Sequence, residues 1–260
     1  VLMSLALLPI LLTKRKPPTF KKIKSMSLKE LYSSSPLGMV SSVLYGTIQS
    51  ALFTLLAVYA AAMNFSIFDI SLVTFMLGIS GAISQYPIGY ISDKFDRRKV
   101  IIYSTFGAAI FAFFAIFSGG TMYLPEGLGS SKFWFYFFLV AFSMCSLPMF
   151  SLILAHTNDF ITRDKFVAAG ASLQFAFGLG AISGPFLCSL FMGLVGNNGF
   201  FVFLIIFHCL IGVFAIYRMK IRPSEENPDS QFVAVPTTIT PVGMELNPTT
   251  EPIEEPEKIN

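Results

Sequence analysis

Charge is what this chain of 260 residues lacks: Asp, Glu, Lys and Arg supply only 13% of it, against roughly 25% in a soluble domain. The shortage is sharper inside its long apolar runs, where Asp69 alone intrudes, and that close to an end. An ordinary water-soluble core is thereby excluded. Cysteine is scarce too. Cys145, Cys188 and Cys209 fall in apolar runs without C-x-x-C spacing, the pattern of small buried hydrophobes and not of metal ligands or disulfides. A P-loop, a glycine-rich phosphate cradle, zinc-ligand spacing and a Ser/His/Asp arrangement beyond chance are all missing, so neither an enzyme nor a bound cofactor is expected.

What is abundant is apolar surface. Hydrophobic residues make up 54% of the chain, the mean hydropathy is +0.68, and 29 residues are Phe, which is favourable at the middle of a membrane span. Crossing about 30 Å of hydrocarbon takes roughly 20 helical residues. Six stretches qualify: Leu37 to Met63, Ile67 to Ile91, Val100 to Ser118, Phe133 to Ala155, Phe166 to Val195 and Phe200 to Tyr217. They are continuously apolar rather than alternating, and a segment in lipid must satisfy its own backbone, so helices are expected and a barrel is not. The fold class is all-α, a polytopic membrane protein.

Basic residues segregate to one side of these spans. Lys14, Arg15, Lys16, Lys21, Lys22, Lys24 and Lys29 precede the first; Lys94, Arg97, Arg98 and Lys99 follow the second; Arg163 and Lys165 follow the fourth; Arg218, Lys220 and Arg222 follow the sixth. The opposite loops hold a single base, Lys132, so the positive-inside rule places both ends of the chain in the cytoplasm. Trp134, Phe135 and Tyr136 then form an outer interfacial anchor. Residues 1–12, apolar but too short to span, read as the end of a truncated transmembrane helix. Residues 13–35 read as a basic cytoplasmic linker and residues 36–222 as the six-helix transmembrane domain. Residues 223–260 are rich in Pro, Glu and Thr, with Lys258 as their one base, and read as a disordered acidic cytoplasmic tail.

Between the second and third spans the sequence QYPIGYISDKFDRRKV, Gln85 to Val100, gathers Asp93, Lys94, Asp96, Arg97, Arg98 and Lys99. A charge at the bilayer centre costs about 2.5–3.5 kcal/mol even on the mildest scale, so this cluster must lie at a membrane surface, as a short loop. Gly89, Asp93, Lys94, Arg97 and Arg98 match the pattern G-x-x-x-D-[RK]-x-G-[RK]-[RK]. With Gln85-x-Pro87-x-Gly89, Ala155-His156-Thr157-Asn158-Asp159 and Gly180-x-x-x-Gly184-Pro185, the chain from Ser35 to Arg222 resembles the carboxyl-terminal half of a major facilitator superfamily transporter, of its YcaD-like bacterial branch. It departs from the pattern at Asp96, where the family usually has Gly; Asp tolerates a left-handed backbone better than most residues.

The resemblance implies a six-helix half of a twelve-helix protein, with the missing amino-terminal half as its partner. It also implies a latch between the halves: Asp93 drawn to a helix amino terminus, with Arg97 and Arg98 completing the charge network. The competing reading makes Arg97, Arg98 and Lys99 orientation signals and no more. In this six-helix chain Asp93 is expected to lack a partner from the other half.

By the same resemblance the first and fourth spans border a central cavity. Ser42, Tyr45 and Gln49 recur at helical spacing on the first, and Tyr45 and Gln49 are candidate substrate contacts, with interhelical hydrogen bonding as the alternative. Gln174 on the fifth span is a third candidate. Its neighbours Gly170, Gly178, Gly180 and Gly184 fit close helix packing. Ser143, Ser146 and Pro148 mark the fourth span, where the proline is either a hinge or simply tolerated. His156 and Asp159 read as an interfacial anchor or helix end, and His208 as a packed neutral histidine. The resulting expectation is a secondary active transporter of a small solute working by alternating access in the bacterial inner membrane. The runner-up is a non-transporting membrane receptor or scaffold on the same fold. Expected partners are the solute, the missing half and the lipid bilayer, not nucleic acid; any proton-coupling group is expected in the missing half.

Overall fold

Residues 26–118, 131–221, 232–237, 239, 240 and 243 are described in a computed structural model. Among them there is no strand. The helices are α1 (Leu28–Ser34), α2 (Pro36–Ala62), α3 (Ile67–Lys94), α4 (Arg97–Ser118), α5 (Ser131–Ser146), α6 (Met149–Asn158), α7 (Phe166–Val195) and α8 (Gly199–Ile221), with a 3-10 turn, Arg163–Lys165, ahead of α7. Six spans are long and apolar enough to cross a membrane, α5 and α6 together making the fourth. The all-α, six-span expectation is met.

Local sequence explains where the spans begin and end. Ser35 caps α2 by accepting the Gly38 N–H at 3.3 Å, and Pro36 takes the first helical position, where its missing N–H is harmless. Ser66 and Asp69 form a reciprocal capping box at the start of α3. The end of α2 turns through Asn64 at φ 58°, which lets Phe65 N–H reach the Ala60 carbonyl and Asn64 N–H the Ala61 carbonyl, both at 3.0 Å. Of the proposed linker, residues 13–25 lie outside the described residues, as does the proposed truncated helix, residues 1–12. Its last part is not a plain connector: α1, capped by Ser27 and pinned by the fully buried Leu31, ties back to the bundle through a 2.9 Å ion pair between Glu30 and Lys165.

The first and fifth spans run side by side at backbone contact. A Cβ on Gly180 would overlap the Val43 carbonyl, one on Gly184 the Thr47 carbonyl, and one on Gly46 the Phe177 carbonyl. Hydroxyls stitch the same seam. Ser42 Oγ donates to the Leu173 carbonyl at 2.8 Å and Thr47 Oγ1 to the Gly180 carbonyl at 3.1 Å. Small residues at four-residue spacing are what permit this approach in lipid, where two apolar surfaces gain little by leaving one solvent for the other.

The fourth span is broken, not merely kinked. Leu147 and Pro148 interrupt it, and the break is tied to three neighbours. Tyr45 Oη donates to the Leu147 carbonyl at 3.2 Å, Ser143 Oγ to the Leu77 carbonyl at 2.6 Å, and Ser146 Oγ lies 3.0 Å from His208 Nε2. His208 Nδ1 faces the Leu204 carbonyl at 2.8 Å and therefore carries the proton, leaving Nε2 to accept from Ser146. At the opposite end from the charged loop, Tyr59, Phe135, Phe200 and Phe201 stack as one cluster. Phe135 thus corrects the expected interfacial trio: its ring is fully buried, while Tyr136 Oη and Lys132 Nζ each reach the Asp69 carboxylate at 2.8 Å.

Replacing Gly180 by Ala is expected to destabilise the protein by about 1–3 kcal/mol, because the new methyl has nowhere to go. Gly178→Ala, with nothing within 4 Å of the added carbon, should change stability by less than about 0.5 kcal/mol. Thermal unfolding in detergent compares the two, and equal effects would refute the seam.

Candidate functional site

The charged segment is hardly a loop. Asp93 and Lys94 form the last turn of α3 and Arg97 to Lys99 the first of α4, leaving only Phe95 and Asp96 between the helices. Asp96 solves the turn without the left-handed backbone that Gly would favour; Asn64 is the one non-glycine residue with positive φ among those described. Its carboxylate caps α4, accepting the Arg98 N–H at 3.0 Å, and holds the Arg98 guanidinium at 3.0 and 2.7 Å. Burial pushes the Asp96 carboxyl up, the Arg98 hydrogen bonds outweigh it, and the group stays below its ordinary value. Its contribution to stability is therefore complete above the unfolded value of about 4 and is lost as pH falls through the lower folded value.

Arg97 and Arg98 are more than orientation signals. Both are buried, at 8% and 5% exposure, far below what a free surface base would show. Arg97 bridges Asp93 on its own hairpin, at 2.8 Å, and Asp159 at the end of α6, and it also donates to the Ala155 carbonyl at 3.3 Å. The guanidinium therefore fastens the second, third and fourth spans together at one end. Asp159, expected as an anchor or helix end, is half of that clamp. Lys94 takes no part in the clamp and folds over the Tyr90 ring, 4.1 Å from its centroid.

Two spans leave much apolar surface uncovered, among it Phe75, Ile79 and Ile83 on α3 and Phe175, Ile182 and Phe186 on α7. The apolar stretches of α3 and α7 are the least buried of the six, 28% and 17%, against 50% or more for the other four spans. Three half-buried amides stand on these spans and on α2 beside them: Gln49 on α2, Gln85 on α3 and Gln174 on α7. Each has its Oε1 buried with no hydrogen-bond partner among the described residues. Tyr45, by contrast, is completely buried and its hydroxyl is committed to the broken fourth span. Of the three candidate substrate contacts, Gln49 and Gln174 thus keep an acceptor oxygen without a partner among the described residues, whereas Tyr45 is fully buried and has committed its proton to Leu147. Gln85 escaped the site prediction although it stands one helical turn before Gly89, a spacing that placed it on the same face.

Across this face runs part of the tail. Residues 232–237 are in neither helix nor strand, and Phe232, Val233 and Val235 supply apolar surface that an otherwise acidic segment lacks. For this stretch the reading of a disordered tail gives way. The Phe232 ring lies where a Cβ on Gly89 would be, and Phe232 N–H donates to Asp93 Oδ1 at 2.8 Å. Ser151 on α6, which nothing in the sequence singled out, both accepts the Val235 N–H at 3.1 Å and donates to the Val235 carbonyl at 3.3 Å. Gln174 Nε2 donates to the Thr237 carbonyl.

Comparison with known proteins assigns the architecture. A family model described as Major Facilitator Superfamily matches residues 2–250. The chain belongs to the major facilitator superfamily. This superfamily member is similar to an uncharacterized MFS-type transporter of Yersinia enterocolitica, 24% identical over 78% of the chain and 48% of that protein. It is similar also to the uncharacterized MFS-type transporter YfkF of Bacillus subtilis, 25% identical over 68% of the chain and 44% of the relative. YcaD of Escherichia fergusonii, another uncharacterized MFS-type transporter, is 20% identical over 75% and 48%. The chain spans about half the length of the curated relatives it matches. No solved structure matches it. As a superfamily member with six apolar spans it is an integral multi-pass membrane protein.

Removing one partner of the buried Arg97–Asp159 pair leaves the other charge unpaired, at a cost of about 3–5 kcal/mol. Asp159→Asn and Arg97→Gln are each expected to destabilise by that order, and the double variant by much less than their sum. Lys94→Ala should be silent within about 0.5 kcal/mol. A double-mutant cycle on unfolding in detergent reads all of these, and additive effects would refute the clamp.

Proposed function

We propose that this chain is the carboxyl-terminal half of a secondary active transporter that moves a small solute by alternating access, with its charged-loop end in the cytoplasm and its spans in the bacterial inner membrane. The observation that carries the reading is the trio of amide oxygens, on Gln49, Gln85 and Gln174, buried without a partner beside the face that α3 and α7 leave open. Lipid cannot satisfy such groups, and leaving one unpaired costs about 1–3 kcal/mol, so a partner from outside these six helices is required. A solute with hydrogen-bond donors, or the other half of the protein, supplies it. The apolar exposure of the same spans, including Tyr86 at 82% and Ile182 at 80%, fits a surface covered by lipid and by that second half. Asp93, Arg97 and Arg98 in this reading hold the cytoplasmic ends of the spans in register while the halves rock, with Gly89 admitting a close neighbour.

Tyr45 takes a different role from Gln49 and Gln174. Its hydroxyl steadies the break at Pro148, so it positions the fourth span and does not bind solute.

Uptake and efflux profiling of cells with and without the intact protein is expected to reveal one solute whose flux depends on it. Gln49→Ala and Gln174→Ala should each raise the KM for that solute about 5- to 50-fold, the loss of one or two hydrogen bonds. Tyr45→Phe should lower kcat with KM unchanged. Normal flux in both glutamine variants would remove them as solute contacts, and a profile with no dependent solute would favour a receptor or scaffold.

A further inference from the structure

The stretch from Phe232 to Thr237 is seated in the bundle as a ligand is seated in a groove. Its sequence, FVAVPT, is an apolar island in a tail otherwise rich in Pro, Glu and Thr. The groove is built from three spans: Gly89 and Asp93 on α3, Ser151 on α6 and Gln174 on α7. Gly89 stands five residues from the charged-loop end of its helix, Ser151 seven and Gln174 eight. At 1.5 Å per residue the contacts reach roughly 8–12 Å into the spans.

That reach matters because irregular backbone at membrane depth survives only where it lines a water-filled cavity or where protein satisfies it. The groove does so one group at a time. Asp93 accepts the Phe232 N–H, Ser151 accepts the Val235 N–H and returns a hydrogen bond to its carbonyl, and Gln174 donates to the Thr237 carbonyl. Pro236 brings no N–H to satisfy, and its carbonyl turns the chain by accepting from Ile239 N–H at 3.1 Å. Side-chain selection comes from two places: the Phe232 ring needs the missing side chain of Gly89, and Val235 is 6% exposed while its neighbour Ala234 faces outward. Main-chain capture with alternate side chains buried is the logic of extended-peptide recognition.

We propose that residues 232–237 are a tethered strap that docks in this groove in the intact protein and closes the charged-loop end of the face that carries Gln174. Any solute or protein surface reaching Gln174 from that end meets the strap first, so its release is a step that must precede access. The docking stands on the contacts alone; the strap's meaning as a brake on flux rests on the transport reading above.

The test uses the intact protein in membranes, with Cys145, Cys188 and Cys209 replaced by Ala. In Ser151→Cys paired with Val235→Cys, mild oxidation is expected to form a disulfide about 10-fold faster than in Ser151→Cys paired with Ala234→Cys, and Phe232→Asp should abolish the difference. In a separate variant, Gln174→Cys should react slowly with a bulky maleimide added from the charged-loop side. Its reaction should speed about 10-fold on removal of residues 222–260, and a synthetic peptide of residues 231–240 should slow it again, whereas the same peptide with Asp at positions 232 and 235 should not. Equal crosslinking of the two cysteine pairs overturns the docking. Crosslinking with unchanged Gln174→Cys reactivity after tail removal overturns the closure. If both arms succeed but no solute depends on the protein for flux, the strap stands and the transport reading fails.

Discussion

Hydrocarbon offers a polar group no solvent, so everything polar inside these spans must find its partner in protein. The broken fourth span shows how much follows from that rule. Around Leu147 and Pro148 the hydroxyls of Ser143 and Ser146 reach the second and sixth spans, and Tyr45 reaches in from the first. One interruption thereby joins four spans. The glycine seam between α2 and α7 obeys the same rule from the other side: Ser42 and Thr47 satisfy themselves on carbonyls that only the absence of a side chain at Gly180 brings within reach. Polar groups that have no such partner among the described residues are then conspicuous, and the amide oxygens of Gln49, Gln85 and Gln174 are among them, with the hydroxyls of Ser41, Tyr59 and Ser92.

At the charged end the rule applies to ions. Arg97 is drawn beneath the surface, and a buried guanidinium is tolerated only with carboxylates on both sides. Asp93 and Asp159 provide them from different helices, which makes the hairpin between α3 and α4 a rigid joint for the fourth span. Arg98 and Asp96 close the hairpin itself. A segment of the tail then reaches the same carboxylate, Asp93, so the joint and the strap share an atom.

Legibility varied with the kind of information. The spans were visible because about 20 consecutive apolar residues have one stable arrangement in lipid, while the caps at Ser35 and Ser66 came with the structure. Close packing at Gly180 and Gly184 was also readable, since spacing along a helix defines a face. The partner of a polar residue was not. Tyr45 and Gln49 looked alike in sequence, one helical turn apart, yet one is committed to Leu147 and the other retains a free acceptor. Phe135 read as an interface aromatic because its neighbours are; the direction of its ring depends on Tyr59 and Phe201, more than 60 residues away on either side. Ser151 carried no signal, because a lone serine in an apolar helix most often bonds its own backbone.

By itself the sequence determined the membrane as solvent, the count of spans, the segregation of basic charge and the superfamily signature. Each is set by local composition or by residues adjacent along the chain, and lipid enforces them whatever the packing. The tertiary structure alone decided that the arginines are buried clamps and not surface labels, that the fourth span is tied open by Tyr45, and that an apolar island of an acidic tail lies across Gly89, Ser151 and Gln174. Those outcomes depend on which distant groups meet where water is absent, and a polar residue's role in lipid is defined by the partner it reaches.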